Sequence, residues 1–284
     1  MADLREAVDR RLSALAPVGQ DALARAIRHA LLAPGKRLRP IATVLASWEL
    51  GRTDLAALDA GCALEMIHAA SLVLDDLPCM DDAPTRRGRP STHLAFGEDV
   101  AVLAAISLLS QAYGVAARSA GLDGPARAKV VGILAEAVGF DGLAGGQFRD
   151  LRGRGGASAL VEANHLKTGV LFVAATDIGS CVAGADAAET ERLRACATHL
   201  GQAFQLMDDL ADGAFGAQEP AEDRGKTTLL TVLGPGDARR RLAAHVAHAQ
   251  DGLRPGGLLA TFVAGIFESA SAVPAHGPAD RVDA

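Results

Sequence analysis

His68-Ala69-Ala70-Ser71-Leu72-Val73-Leu74-Asp75-Asp76-Leu77-Pro78-Cys79-Met80-Asp81-Asp82 is an apolar stretch that ends in carboxylates. Its first part continues a helical pattern expected over 56–75, and Pro78 stops the regular helix because its ring cannot sit in a helix interior. The acids follow a DDxxxxD spacing, which crowds them within one or two turns. A second cluster, Asp208-Asp209-Leu210-Ala211-Asp212, closes another apolar run about 130 residues later. A solvated helix end is the plain explanation for either cluster alone. Acids at a helix C-terminus, however, face the negative end of the macrodipole, at a cost of about 0.3–1 kcal/mol each. Two such clusters therefore call for a cation. Mg²⁺ suits them, since it takes oxygen ligands and bridges carboxylates to substrate phosphates.

Outward from these runs, apolar residues recur at three- and four-residue spacing, as in Leu4, Val8, Leu12 and Leu15, and few stretches alternate. The expected class is all-α. Helices are expected over 3–15, 20–33, 39–51, 56–75, 98–117, 124–144, 158–184, 187–211, 227–233, 236–252 and 256–271, with breaks at 77–93, 149–157 and 212–226. The breaks are too short to be interdomain linkers and read as loops at a site. One domain over 1–273 and a flexible tail over 274–284 are the expected organisation.

Composition sets further bounds. Apolar residues make up 49% of the 284-residue chain and aromatics only 4%, so Ala, Leu, Val and Gly must fill the core. A formal net charge of −6 argues against a nucleic-acid partner, which would require a basic surface. Cys62, Cys79, Cys181 and Cys196 show neither CxxC spacing nor a disulfide framework. The N-terminus lacks the apolar core of a secretory signal, and a cytoplasmic location is expected. Val100–Ala117 has no charge and approaches membrane-span length, but its Ser107, Ser110, Gln111 and alanines favour a helix buried in the core. No integral membrane segment is expected.

Basic groups complete the pattern. They occur in Gly35-Lys36-Arg37-Leu38-Arg39-Pro40, Arg86-Arg87-Gly88-Arg89-Pro90, Lys167-Thr168-Gly169 and Gly225-Lys226-Thr227-Thr228. Cations and helix N-termini are the groups that hold diphosphate oxygens, whereas any one basic group alone is explained by solubility.

In type, order and spacing these elements resemble the trans-isoprenyl diphosphate synthases from Gly35 to Thr228. The segments His68–Asp76, Gly145-Gly146-Gln147-Phe148-Arg149-Asp150-Leu151 and Gly201-Gln202-Ala203-Phe204-Gln205-Leu206-Met207-Asp208-Asp209 look most like the bacterial geranylgeranyl diphosphate synthases of pigment pathways. The resemblance implies an isoprenoid-synthase-type helical bundle around a central cavity. It also implies three Mg²⁺ ions, held by Asp75, Asp76, Asp81 and Asp208, with Asp209 and Asp212 in support. By the same resemblance Lys167, Thr168, Gln205 and Lys226 hold an allylic diphosphate, which Arg86 also serves beside the first acidic cluster, while Lys36, Arg39, His68 and Arg87 hold isopentenyl diphosphate. Ionisation of the allylic diphosphate, attack by the isopentenyl double bond and loss of a proton would lengthen the chain by five carbons, without a protein nucleophile.

Small side chains at Ala70 and Ser71, one helical turn before Asp75, imply a long product pocket and a geranylgeranyl product. A homodimer is implied as well. Two departures from the family pattern stand out: Ala104-Ala105-Ile106-Ser107 where many relatives carry Gly-Asp, and Ala217-Gln218 where many carry Gly-Lys. The second leaves one diphosphate contact open. The other readings are a farnesyl diphosphate synthase, a class I terpene cyclase and a non-catalytic synthase partner. The isopentenyl site argues against the cyclase, and retention of both acidic clusters argues against the silent partner.

Overall fold

A computed structural model describes residues 2–152, 165–215 and 233–271. The described chain is built almost wholly of helices: α1 (Ala2–Leu15), α2 (Ala22–Leu31), α3 (Leu38–Glu49), α4 (Leu58–Asp75), α5 (Thr92–Phe96), α6 (Glu98–Ala117), α7 (Gly124–Val138), α8 (Leu143–Arg152), α9 (Val170–Ala183), α10 (Ala187–Phe215), α11 (Pro235–Gln250) and α12 (Leu258–Ser271). A two-stranded antiparallel hairpin, β1 (Thr85–Arg86) and β2 (Arg89–Pro90), interrupts them. A π-helical turn at His165–Gly169 leads into α9.

Helix α4 is central because it has no polar face. From Ala60 to Ile67 every residue is buried, between α3, α6 and α9. Small residues allow this close approach; Gly61 lies where a β-carbon would sit 3.0 Å from the backbone of Pro40. Arg11 crosses from α1 to Asp59 with two bonds of 2.6 and 3.0 Å, which fixes the start of α4. Helix α10 packs between α9 and α11, and one apolar cluster runs from Leu4 to Phe267.

The expected helices agree closely with those described, and the differences have local causes. The single helix expected over 124–144 is two, α7 and α8. Gly139 and Gly142 supply poor helix propensity there, and a Gly142 N–H to Gly139 carbonyl bond of 3.1 Å closes the turn. Helix α8 runs through Arg152 into the break expected at 149–157, and α10 runs through Phe215 into the one expected at 212–226; the rest of both breaks lies outside the described residues. The loop expected over 77–93 contains the hairpin and the start of α5. Its two-residue ladder is too short to alternate visibly in sequence.

The helix expected at 98–117 is α6, but it is not buried on all sides. Ala101, Ala104, Ala105, Leu108 and Ala112 face the core, whereas Leu103 is 51% and Ile106 56% exposed. By length and composition α6 could cross a membrane; it lies here along α4. The helix expected at 227–233 lies outside the described residues except for Leu233, as does the tail 274–284.

Candidate active site

The DDxxxxD spacing acquires a geometric meaning at the end of α4. The chain turns sharply after Leu77 and returns, so that the Asp81 N–H bonds the Asp75 carbonyl at 2.9 Å. Met80 and Asp82 donate to the Leu77 carbonyl at 2.8 and 3.1 Å, and Asp82 takes a positive φ of 47°. Asp81 is thereby folded back to the level of Asp75, and both side chains are half-buried.

Asp76 has a partner within the protein. It is 2% exposed, and Arg86 Nε reaches its two oxygens at 3.0 and 3.3 Å. Its carboxylate is engaged by a guanidinium. Arg86 is likewise committed to Asp76: burial opposes its charge, but the bonds to Asp76 and the fields of Asp75 and Asp81 raise its pKa overall.

The hairpin that carries Arg86 turns through Arg87 and Gly88, with φ of 54° and 74°. Positive φ at both central residues is the type I′ geometry that two-residue hairpins favour, and for Arg87 it is a strained conformation. Arg87 Nη1 donates to the Pro34 carbonyl at 3.0 Å, bringing the hairpin tip against the loop that bears Lys36. Gly35 makes room for it, since a β-carbon there would lie 2.6 Å from Arg87 Nη1. Lys36 itself is exposed on that loop.

Below this loop lies a group that the sequence reading left unassigned. Arg37 sits in a left-handed conformation (φ 52°) ahead of α3 and is buried, with Nε on Asp9 at 2.8 Å, Nη1 on Glu65 at 3.1 Å and Nη2 on the Ala33 carbonyl at 2.9 Å. Glu65 is 3% exposed and supplies negative charge to Arg37, Arg39 and Arg87 together. A lone acid inside an apolar helix was its only signal in the sequence.

Arg39 is the exceptional residue of the pocket. It is 9% exposed, its guanidinium carbon lies 5.1 Å from the centre of the Phe172 ring, and its Nε has no hydrogen-bond partner among the described residues. Burial pushes its pKa down to about 10; Glu65 and Asp208 counter that shift, and Arg87 adds to it. An arginine stays charged at such a value, so a cation is held in a dry site with an unfilled donor. His68 is driven well below the usual histidine range by burial and then by Arg39, Arg87, Arg86 and Arg37, so its ring is neutral at physiological pH. Four guanidiniums thus act on one imidazole.

The second acidic cluster lies on α10. Asp208 is half-buried and acts on Arg39, which links this cluster to the cationic pocket. Thr168 donates its hydroxyl to Gln205 Oε1 at 3.0 Å, and Gln205 Nε2 donates to Asp209 Oδ1 at 2.8 Å. This relay joins the π-helical turn to α10, and such turns occur often at functional sites. Gly201 permits the contact, because a β-carbon there would stand 2.6 Å from the Gly169 α-carbon. Lys167 lies on the same turn and Asp212 on α10, whereas Lys226 and Gln218 lie outside the described residues.

Gln147, on α8, also has both amide atoms buried without a partner among the described residues. Its place in the Gly145–Leu151 segment was its only signal in the sequence. Ala70 is fully buried in α4. Ser71 is half-buried, and its hydroxyl bonds the His68 carbonyl at 2.9 Å.

The donor set fits Mg²⁺ shared with a ligand. It consists of carboxylate oxygens, and among the described residues no three His, Cys, Asp or Glu side chains are brought together closely enough to hold a metal ion by themselves. Mg²⁺ is commonly held in this way, by one or two carboxylates together with substrate phosphates and water.

Comparison with known proteins agrees with this geometry. The profile of the polyprenyl synthetase family matches residues 20–229. A geranylgeranyl diphosphate synthase of Pantoea ananas is 45% identical over 254 residues, covering 87% of this chain and 84% of that protein. A geranylgeranyl diphosphate synthase of Pseudescherichia vulneris is 43% identical over 254 residues, 87% of this chain and 83% of its own. The apo crystal structure of an FPP/GFPP synthase from Zymomonas mobilis superposes with a TM-score of 0.83 at 34% identity, covering 93% of this chain and 95% of that one. The profile spans most of the chain and the relatives match it along most of their own length, so the chain belongs to the polyprenyl synthetase family.

Proposed function

We propose that this chain joins an allylic diphosphate to isopentenyl diphosphate and releases geranylgeranyl diphosphate. The observation that carries the reading is the buried Arg39, whose Nε has no hydrogen-bond partner among the described residues and whose charge is felt together with those of Glu65, Arg87 and Asp208, while His68 sits in the field of the same arginines. Such an arrangement is built for a polyanion placed next to carboxylates. The names of the bacterial relatives, at 43–45% identity, support the twenty-carbon product.

In this reading Arg39, Arg87, Lys36 and His68 hold isopentenyl diphosphate, and the neutral His68 ring serves as a hydrogen-bond donor. Glu65 and Arg37 hold the guanidiniums in place. Thr168, Gln205, Lys167 and Lys226 grip the allylic diphosphate. Asp75, Asp81 and Asp208 would hold Mg²⁺, three ions per site, with Asp209 and Asp212 assisting. Bound Mg²⁺ supplies Lewis-acid charge neutralisation at a departing diphosphate. The protein contributes alignment of two anions and exclusion of water from the allylic cation.

The growing tail runs along α4 past Ser71. A second copy of the chain covers the exposed apolar face of α6, giving a homodimer. One domain over 1–273, in the cytoplasm, completes the reading; the large apolar cluster that runs from Leu4 to Phe267 supports the single domain.

Incubation with Mg²⁺, farnesyl diphosphate and labelled isopentenyl diphosphate tests the proposal. Labelled geranylgeranyl diphosphate is the expected product. Accumulation of farnesyl diphosphate from a ten-carbon primer, without further extension, would reassign the product. Absence of label from every product would favour a cyclase.

A further inference from the structure

We infer that His29 is a positioning residue for isopentenyl diphosphate, acting by clamping the arginine hairpin to α2 through both of its ring nitrogens. The inference rests on the diphosphate reading given above.

His29 lies in the last turn of α2, about sixty residues from the hairpin in sequence. Its Nε2 is 2.9 Å from the Pro90 carbonyl, and its Nδ1 is 2.8 Å from Arg89 Nη2. A carbonyl can only accept and a guanidinium can only donate. Nε2 therefore carries the proton and Nδ1 presents a lone pair, so one neutral tautomer satisfies both bonds. Phe96 stands edge-on to the ring, with centroids 5.4 Å apart and planes at 72°, and fixes its orientation.

The hairpin needs such an anchor. Its ladder pairs only Thr85 with Pro90 and Arg86 with Arg89, and a ladder of that length is not stable alone. It must also hold Arg87 in a strained turn. One flank is tied to α4 by Arg86 and Asp76. The other flank, beyond Arg87, is tied by His29. The two ties meet across one cleft, lined by His29, Leu72, Asp76, Arg86, Arg87 and Thr92. Without the His29 tie the strand carrying Arg89 is released, and Arg87 loses its alignment toward the Lys36 loop.

Steady-state kinetics on His29→Ala and His29→Gln test this. His29→Ala is expected to raise the KM for isopentenyl diphosphate about tenfold, the size of effect expected from losing one or two hydrogen bonds. The allylic KM and kcat should stay within about twofold. Glutamine offers one donor and one acceptor on a planar group, so His29→Gln should recover most of the loss. Arg89→Ala, at an exposed position, should reproduce the defect without altering α2. Unchanged kinetics in His29→Ala, equal loss for both substrates, or a glutamine variant no better than alanine would overturn the assignment.

Hydrogen exchange on the substrate-free protein supplies an arm that needs no turnover. Faster exchange of the amides in 85–92 in His29→Ala, with α4 unchanged, is expected, and unchanged exchange there overturns the clamp. An inactive wild type with a clamped hairpin would sink the diphosphate reading instead.

Discussion

Asp75 closes α4 and Asp208 lies about two turns before the end of α10, and both are only half-buried, so their removal should cost chemistry rather than structure. Asp75→Ala and Asp208→Ala are each expected to lower kcat by about a thousandfold, in line with the loss of groups that neutralise developing charge. Circular dichroism should show an unchanged helical spectrum, and wild-type turnover in either purified variant would refute the metal assignment. Gly35 probes the other substrate. A β-carbon there would meet only the flexible end of Arg87, at 2.6 Å, so Gly35→Ala should fold normally and displace that guanidinium. A rise of about tenfold in the isopentenyl diphosphate KM, with thermal stability unchanged, is the expected outcome. Parallel rises in both KM values would mean that the hairpin does not serve one substrate alone.

At the scale of elements, α4 links the metal end of the site to the product tail. A rise of about 1.5 Å per residue puts Ser71 roughly 6 Å from Asp75 on nearly the same face. Ser71 is only half-buried, whereas Ala70 is fully enclosed by neighbouring helices. Ser71→Phe should therefore shorten the product from twenty carbons toward fifteen, read as a product ratio by chromatography. Ala70→Phe has the harder steric task, and overpacking of about 1–3 kcal/mol should accompany any shortening, measured as a lower urea midpoint. A wild-type product spectrum from folded Ser71→Phe would remove this residue from the elongation pocket.

For the whole molecule, the informative surface is the outer face of α6. Leu103 and Ile106 are more than half exposed on a helix that carries no charge from Val100 to Ala117. Contiguous apolar surface of this kind marks an interaction site, and closed two-fold dimers are the commonest assembly. Ile106→Glu should convert a dimer to a monomer in sedimentation velocity, since it places a charge in the proposed contact. A wild-type monomer at micromolar concentration would overturn the homodimer, and a variant that stays dimeric would move the interface elsewhere.

Much of this protein was legible from order and spacing alone. Helical periodicity marked the all-α class, because three- and four-residue spacing records burial along a single face. The acidic clusters were visible because crowded carboxylates repel one another without a cation, although the second, expected at a helix end, lies inside α10. What the sequence could not show was which charges find one another. Asp76 reads like Asp75, yet tertiary folding pairs it with Arg86. Glu65 and His29 carry no motif and Arg37 has no role of its own within one, and they matter only because α2, α3, α4 and the hairpin meet. The apolar run in α6 suggested complete burial, and packing covered one face only. Periodicity reports what a segment buries on its own element; the partners of a buried charge are set by contacts between elements far apart in the chain.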